Sequence, residues 1–226
     1  MYFSQYDILL LPAIILSLWA QWSVNSAYRK YSQIPNFRHI TGADAARKIL
    51  QAESVGSVSI NHIGGNLTDN FNPRNQSLNL SNGVYDGSSI AAVGIAAHEA
   101  GHAIQHSKGY FAIKIRNTIL PAAQLSSSAA MPLFLLGLLF SIGALVDVGI
   151  ILFSAAVLFQ VVTLPVEFNA SRRAIKAIRS ADILSEEEIK GAKKVLTAAA
   201  MTYVASAAMA ALQLIRLIGI SGRRRD

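Results

Sequence analysis

Residues 142–165 read IGALVDVGIILFSAAVLFQVVTLP, an apolar run in which Asp147 is the single charged residue. A helix needs about 20 apolar residues to cross a bilayer, so this stretch alone predicts a membrane-spanning helix. The whole chain has the same bias, because 52% of its 226 residues are hydrophobic and 15% are charged. Soluble domains have roughly a quarter of their residues charged. The sequence therefore predicts an integral membrane protein.

Three further apolar stretches predict a total of about four transmembrane helices. They lie at about 6–22, 119–140 and 195–220, and the run at 142–165 is the third of the four in chain order. Pro121 and Pro132 are expected to kink the second helix. The first helix is expected to be an uncleaved anchor, since no small-residue cleavage site follows it. The fourth is rich in Ala and Ser, which suits close packing between helices in a membrane.

Basic residues beside these helices predict the orientation of the chain. If the helices alternate, three clusters lie on one side, which the positive-inside rule makes the cytoplasm. The clusters are Arg29 and Lys30, then Lys108, Lys114 and Arg116, then Arg172, Arg173, Lys176 and Arg179. The basic tail Arg223–Arg225 disagrees with this arrangement. Either the fourth helix does not fully cross, or the other clusters outweigh the tail, and we favour the second option.

A polar insert at about 25–118 separates the first two apolar stretches, and a shorter polar segment covers about 166–194. Within the insert, residues 41–52 and 88–107 read as helices, with Thr41 and Asp44 as capping residues. Residues 61–75 are dense in Gly, Asn, Asp and Pro and predict a loop. Residues 76–81 alternate in polarity and predict a strand. Residues 185–188 (Ser-Glu-Glu-Glu) predict a capping box that begins the last helix.

The insert contains the motif His98-Glu99-Ala100-Gly101-His102 within one of the predicted helices. Residues four apart share a helix face, so both imidazoles can bind one metal ion. Glu99 is offset from them and can instead accept a proton from zinc-activated water, as in metalloproteases. The competing interpretation is a helix with two histidines that only pack against neighbouring helices.

A catalytic zinc needs a third protein ligand beside one open position. His106 is unsuitable, because it lies about 12 Å along the helix from His98 at 1.5 Å per residue. His39 and His62 are isolated histidines in loops. Glu167 is the better candidate, because a carboxylate so close to a hydrophobic span is costly unless it is paired or metal-bound. The alternative is a salt bridge from Glu167 to Arg172 or Arg173, whereas Glu186–Glu188 are explained by helix capping.

Four segments resemble the YugP-type membrane zinc metallopeptidases, a bacterial family that is more distantly similar to the HtpX-type membrane proteases. They are Asp69–Arg74, His98–Gln105, Leu164–Arg173 and Gly191–Leu196. The resemblance implies that His98, His102 and Glu167 bind zinc and that Glu99 is the catalytic base. Two positions depart from the pattern. Ser171 stands where HtpX-type proteins have an aspartate that orients a zinc histidine, and Asn70 stands where a histidine is common.

Together these observations predict a mainly α, polytopic membrane protein with a small zincin-like α+β cytoplasmic insert, forming a single domain over residues 1–226. The predicted activity is peptide-bond hydrolysis with one Zn²⁺ per chain, at the cytoplasmic face of the bacterial cell membrane. Tyr203 or a nearby Arg could stabilise the oxyanion. Substrate could pair with an exposed edge of the strand at 76–81.

Several other classes of function fit less well. Basic residues flank the apolar runs, which suits a lipid bilayer and argues against nucleic acid as a partner. The chain has no cysteine, which excludes a thiolate nucleophile. A catalytically silent membrane adaptor with a structural zinc is the main alternative, but it would not need Glu99. A metal transporter would need ionisable residues at helix centres. The two ionisable residues within the predicted spans that could qualify, Asp147 and Arg216, both lie near the ends. The expected partners are membrane-associated protein or peptide substrates, with a regulatory membrane partner or a homo-oligomer left open.

Overall fold

A computed structural model describes residues 7–222, and the chain divides into two compact units. We call Met1–Gln21, Lys114–Pro165 and Thr202–Asp226 the membrane unit, and Trp22–Ile113 and Val166–Met201 the polar unit. The predicted start of the first helix at Tyr6 and the tail Arg223–Arg225 lie outside the described residues. The boundaries between the units fall close to the predicted ends of the apolar stretches.

Seven α-helices and three strands form the described part of the chain, with a short 3₁₀ turn at Ile8–Leu10. The helices are α1 (Leu11–Ser32), α2 (Gly42–Ala52), α3 (Asn82–Tyr85), α4 (Ile90–Ser107), α5 (Phe111–Leu139), α6 (Gly143–Ser180) and α7 (Glu186–Gly222). The strands are β1 (Ser59–Ile63), β2 (Asn70–Asn72) and β3 (Ser77–Ser81). Four of the helices are long and apolar enough to cross a membrane, namely α1 with its 3₁₀ turn, α5, α6 and α7. The prediction of a mainly α, multi-pass membrane protein is confirmed.

The long helices extend well beyond the predicted apolar stretches. α6 continues through Pro165 to Ser180, and α7 begins at Glu186, so most of the polar segment at 166–194 is helical. The predicted capping box is present: Ser185 N–H donates to Glu188 Oε2 over 2.7 Å, and Glu188 N–H donates to Ser185 Oγ over 3.4 Å. Two of the orphan N–H groups at the start of α7 are thereby satisfied.

An ion pair within the membrane unit bears on the path of the fourth helix. Arg216 Nε donates to Asp7 Oδ1 over 2.6 Å. Asp7 immediately precedes the first helical turn, and Arg216 lies close to the end of α7. The pair therefore brings the start of the first apolar helix and the end of the last one together. The full crossing of the fourth helix stays a prediction.

The polar unit packs its helices and sheet around a core of small and branched apolar residues. Thr41 Oγ1 accepts from Asp44 N–H to cap α2, and Ser89 Oγ accepts from Ala92 N–H to cap α4. The sheet has the order β1-β3-β2, with β1 parallel and β2 antiparallel to β3. The largest fully buried apolar side chains of this unit are Ile49, Leu78, Leu80, Val84, Val93, Ile104, Ile178 and Ile183.

The prediction of a loop over residues 61–75 is wrong in part, because β1 and β2 both fall in this region. Side-chain hydrogen bonds between asparagines join the three strands. Asn61 Nδ2 donates to Asn79 Oδ1 over 3.1 Å, and Asn79 Nδ2 donates to Asn70 Oδ1 over 3.0 Å. The polar residues on one face give these strands the composition of a loop. Pairs of residues across the strands nevertheless stabilise the sheet.

The strand predicted at 76–81 exists as β3, but it is not an edge strand. β1 and β2 pair with its two sides, in the registers Asn61↔Asn79 and Asn70↔Asn79. The expectation that substrate pairs with an exposed edge of this strand is therefore wrong. Its alternation arose because Leu78 and Leu80 face the core of the polar unit.

Candidate metal centre

Helix α4 carries the His-Glu-x-x-His motif and lies against α6 at a glycine. Small buried residues line α4 around the motif, including Ala97, Ala100 and Ala103. A Cβ atom at Gly101 would lie 2.6 Å from the carbonyl oxygen of Ala170, which is closer than real Cβ atoms come. The absence of a side chain at Gly101 therefore lets α6 pass directly beside the motif. This close approach lets the histidines of α4 face the side chains of α6.

Two imidazoles and one carboxylate converge where α4 and α6 meet. His98 Nε2 lies 3.3 Å from Glu167 Oε2, and His102 Nε2 lies 3.6 Å from the same oxygen. One ligand atom from each of the three residues lies within 4.8 Å of the others. Glu167 is 2% exposed, although it lies only two residues after Pro165. The structure thus brings together the three residues predicted as metal ligands.

The ring of His98 is oriented by Ser171, four residues after Glu167 on α6. His98 Nδ1 and Ser171 Oγ lie 3.1 Å apart, within hydrogen-bonding distance. Hydrogen-bonding partners of this kind fix the orientation and tautomer of metal-binding histidines. Ser171 thus lies at the sequence position where the HtpX-type pattern has an aspartate, and it is within hydrogen-bonding distance of a histidine of the motif.

The ring of His102 is oriented by Gln105, which is fully buried. Gln105 Nε2 donates to the carbonyl oxygen of Val166 over 2.8 Å and to Asn169 Oδ1 over 3.0 Å. A carbonyl oxygen can only accept, so the amide orientation of Gln105 is fixed and its Oε1 faces His102 Nδ1 at 3.0 Å. That nitrogen must then carry the proton. The Nε2 lone pair of His102 is left free to bind a metal beside Glu167.

The carboxyl group of Glu99 lies beside this centre in an environment that favours its neutral form. Burial raises the pKa of Glu99 to about 7, and the charges of Glu167 and Asp69 act in the same direction. His98 and a hydrogen bond from the backbone N–H of Phe71 in β2 act in the opposite direction. A carboxyl group with a pKa near the working pH is suited to general acid–base chemistry.

The other histidines lie outside the cluster of three. The ring of His106, on the last turn of α4, lies 5.8 Å from the ring of Phe71. The ring of His62 stacks on Tyr85 at 4.8 Å, and its Nε2 lies 2.7 Å from Asn82 Oδ1. His39 is exposed, with a positive φ of 53°. The prediction of a loop position is wrong for His62, which lies in β1.

Sequence reasoning missed the polar network behind the histidines. Asn169 accepts from Gln105 and also from Arg173 Nε over 2.7 Å, and the Arg173 guanidinium lies 5.9 Å from the centre of the Tyr110 ring. Gln105 follows His102 by three residues and shares its helix face, which is the one signal the sequence offered. Its partners lie more than 60 residues away along the chain and could not be identified from spacing.

Comparison with known proteins agrees with this geometry. A family model described as "Putative neutral zinc metallopeptidase" matches residues 6–222. The chain belongs to this neutral zinc metallopeptidase family. It is also 44% identical over 218 residues to the "Putative membrane protease YugP" of Bacillus subtilis (strain 168), across 96% of this chain and 97% of that protein. No solved structure matches the chain.

The three converging side chains fit the zinc ion that this family implies. Zinc favours imidazole nitrogen and carboxylate oxygen, and catalytic sites combine three such ligands with one open position. Tetrahedral ligands bound at about 2.0–2.1 Å lie roughly 3.4 Å from one another. The two distances from Glu167 Oε2 to the histidine nitrogens, 3.3 and 3.6 Å, are close to this spacing.

Proposed function

We propose that this chain is a zinc-dependent endopeptidase whose single domain acts at the cytoplasmic face of the bacterial cell membrane. One zinc ion per chain would be held by His98, His102 and Glu167, with Glu99 as the catalytic base. The observation that carries the proposal is the convergence of both Nε2 atoms on Glu167 Oε2. Glu99 lies next to His98 on α4, within the electrostatic reach of both His98 and Glu167.

Each residue of the site would have a distinct chemical role. Zinc, when bound, would activate water and polarise the scissile carbonyl. Glu99 would take the proton from the attacking water and deliver it to the leaving amine. Ser171 and Gln105 would hold the two imidazoles in place throughout the reaction.

The cytoplasmic orientation rests on the distribution of basic residues. The basic clusters at the end of α1, around the start of α5 and in the second half of α6 share one side if the spanning helices alternate, and the positive-inside rule makes that side the cytoplasm. The substrates proposed on this basis are membrane proteins, or cytosolic segments that lie close to the bilayer.

The alternative of a catalytically silent adaptor gives no role to Glu99. A structural zinc site is complete with its ligands and needs no adjacent base. Here a carboxyl group lies beside the three donor groups, with a backbone hydrogen bond from Phe71. This arrangement favours a catalytic function over a purely structural one.

The deciding experiment compares the wild type with Glu99→Gln and with the control Glu187→Gln, which changes an exposed carboxylate on α7. Each protein is purified in detergent, and its zinc content and its cleavage of casein are measured. We expect about one zinc per chain in all three and cleavage by the wild type and Glu187→Gln alone. Absence of zinc from the wild type would contradict the metal site. Undiminished cleavage by Glu99→Gln would contradict the role of the base.

A further inference from the structure

A groove in the polar unit, separate from the three metal-site ligands, runs between the segment of α6 after Pro165 and the first half of α7. Its volume is about 450 Å³. Each helix contributes one stripe of residues at helical spacing. The lining residues are Phe168, Ser171, Arg172, Ile175, Lys176 and Arg179 from α6, and Lys193, Leu196, Thr197 and Ala200 from α7.

The groove is lined by four cations and by no acidic residue. Arg179 is paired with Glu186, over 2.6 Å from Nε to Oε1. Arg172, Lys176 and Lys193 form no ion pair with any residue in the range 7–222, and all three are exposed. Like charges gathered on one surface repel one another unless an anion lies between them. The positive charge of the groove therefore favours the binding of an anion.

The groove also lies on helix segments that continue directly from membrane-spanning segments. Phe168 follows Pro165 by three residues, and Ala200 precedes Thr202, where the membrane unit resumes. Phe168, which is 41% exposed, and Ala200, which is buried, lie at the ends of these two segments that are nearest in sequence to the membrane unit. Arg172 lies about 10 Å along α6 from Pro165, and Lys193 lies about 14 Å along α7 from Thr202, at 1.5 Å per residue. Lysine side chains of this kind can extend back toward an interface.

We propose that this groove is a binding site for the headgroup of an anionic phospholipid. The phosphate would lie among Arg172, Lys176 and Lys193, and the glycerol and upper acyl chains would pack on the exposed ring of Phe168. A lipid is favoured over an acidic peptide because Phe168, the exposed large apolar residue of the lining, lies three residues after the membrane-spanning part of α6. Anionic headgroups of the adjoining leaflet are also concentrated near basic residues of this kind. Arg179 takes no part, since it is already paired and lies farthest along α6.

The site is distinct from the zinc centre but shares one residue with it. Ser171 lines the groove and also hydrogen-bonds His98 Nδ1. The proposal does not depend on the protein being a peptidase, because it rests on the charge and position of the groove. Its test therefore uses lipid binding rather than proteolysis as the readout.

The test uses the full chain in detergent and counts bound lipids by native mass spectrometry. Phosphatidylglycerol and phosphatidylcholine with identical acyl chains are added separately. The variant is Lys176→Gln/Lys193→Gln, and the matched control is Lys48→Gln/Lys194→Gln, which removes two exposed lysines that do not line the groove. Circular dichroism melting checks that both double variants remain folded.

We expect the wild type and the control to retain phosphatidylglycerol at least five-fold more often than phosphatidylcholine. The groove variant should bind both lipids equally. Equal retention of phosphatidylglycerol by the two double variants would overturn the proposal, because binding would then be a general effect of surface charge. Full displacement of the lipid by equimolar inorganic phosphate would overturn it too, since the acyl chains would contribute nothing. Displacement of the lipid by an equimolar acidic peptide would also overturn the proposal, because the groove would then prefer a peptide.

Discussion

At the residue scale, the two imidazoles of the candidate metal centre have hydrogen-bonding partners outside the proposed set of ligands. Ser171 lies 3.1 Å from His98 Nδ1, and Gln105 lies 3.0 Å from His102 Nδ1. Each of these hydrogen bonds leaves Nε2 directed toward Glu167. Such partners of metal-binding histidines typically change the affinity for the metal by roughly 10- to 100-fold when they are removed.

Replacing Ser171 tests this arrangement in both directions. We expect Ser171→Ala to weaken zinc binding by about 10-fold or more, because His98 Nδ1 loses its partner. Ser171→Asp should bind zinc at least as tightly as the wild type, since a carboxylate is a stronger acceptor for an imidazole N–H. The measurement is competition with a fluorescent zinc chelator at fixed pH. Ser180→Ala, at the end of α6, is the control, and equal affinities for Ser171→Ala and this control would contradict the role of Ser171.

The cluster of His98, His102 and Glu167 could be predicted from the sequence, whereas the network behind it could not. The i, i+4 spacing of the histidines and a carboxylate two residues after an apolar span are both local signals. Ser171 and Gln105 act through partners 73 and 61 residues away. No spacing rule identifies such pairs, because they depend on how two helices lie against each other.

At the scale of the elements, the contact of α4 with α6 is set by the glycine of the motif. A side chain at Gly101 would meet the carbonyl oxygen of Ala170, a backbone atom that cannot rotate away. Gly94, which lies nearer the start of the same helix, faces Ala192 of α7 instead. A Cβ added at Gly94 would lie 3.4 Å from the Ala192 Cβ. The two glycines therefore offer a matched comparison within one helix.

We expect Gly101→Ala to cost about 1–3 kcal/mol of unfolding free energy through overpacking, and to reduce zinc content because α6 is pushed away from the histidines. Gly94→Ala should be close to neutral, since its contact is ordinary and alanine favours helix by about 1 kcal/mol. Thermal unfolding in detergent and metal analysis give the two readouts. A Gly101→Ala protein as stable and as zinc-rich as Gly94→Ala would show that the close approach is not needed.

The sequence predicted the helices better than the strands, for a physical reason. α2 begins at Thr41, a capping residue predicted from the sequence, and α4 begins within two residues of its predicted start at residue 88. β1 and β2 have no comparable signal, because asparagines on one face satisfy one another across the sheet. The same residues favour turns in an isolated segment, so their role became apparent only in the folded sheet.

At the scale of the whole molecule, the four apolar stretches predicted the four helices that are long and apolar enough to cross a bilayer, because each stretch is close to or above the length of about 20 residues that a span needs. The distribution of lysine and arginine predicts which side each connection occupies. That second prediction can be checked directly, since the natural chain has no cysteine. Any cysteine introduced for labelling is then the single reactive thiol of the protein.

We expect a membrane-impermeant maleimide to label Ser141→Cys in intact bacterial cells, because Ser141 lies in the turn between α5 and α6 on the predicted outer side. Ser57→Cys, at an exposed position of the polar unit, should be labelled only after the cells are permeabilised. The labelled fraction is read from a shift in gel mobility. Labelling of Ser57→Cys in intact cells, with Ser141→Cys protected, would invert the proposed orientation.

The ion pair between Asp7 and Arg216 also bears on biosynthesis, because the two residues are separated by 209 positions. The carboxylate is synthesised with the first helix, whereas the arginine follows 209 residues later in the last one. The two side chains can therefore meet only after the helices between them have been made. Truncating the chain before Arg216 would leave the first helix without the contact that joins it to the last.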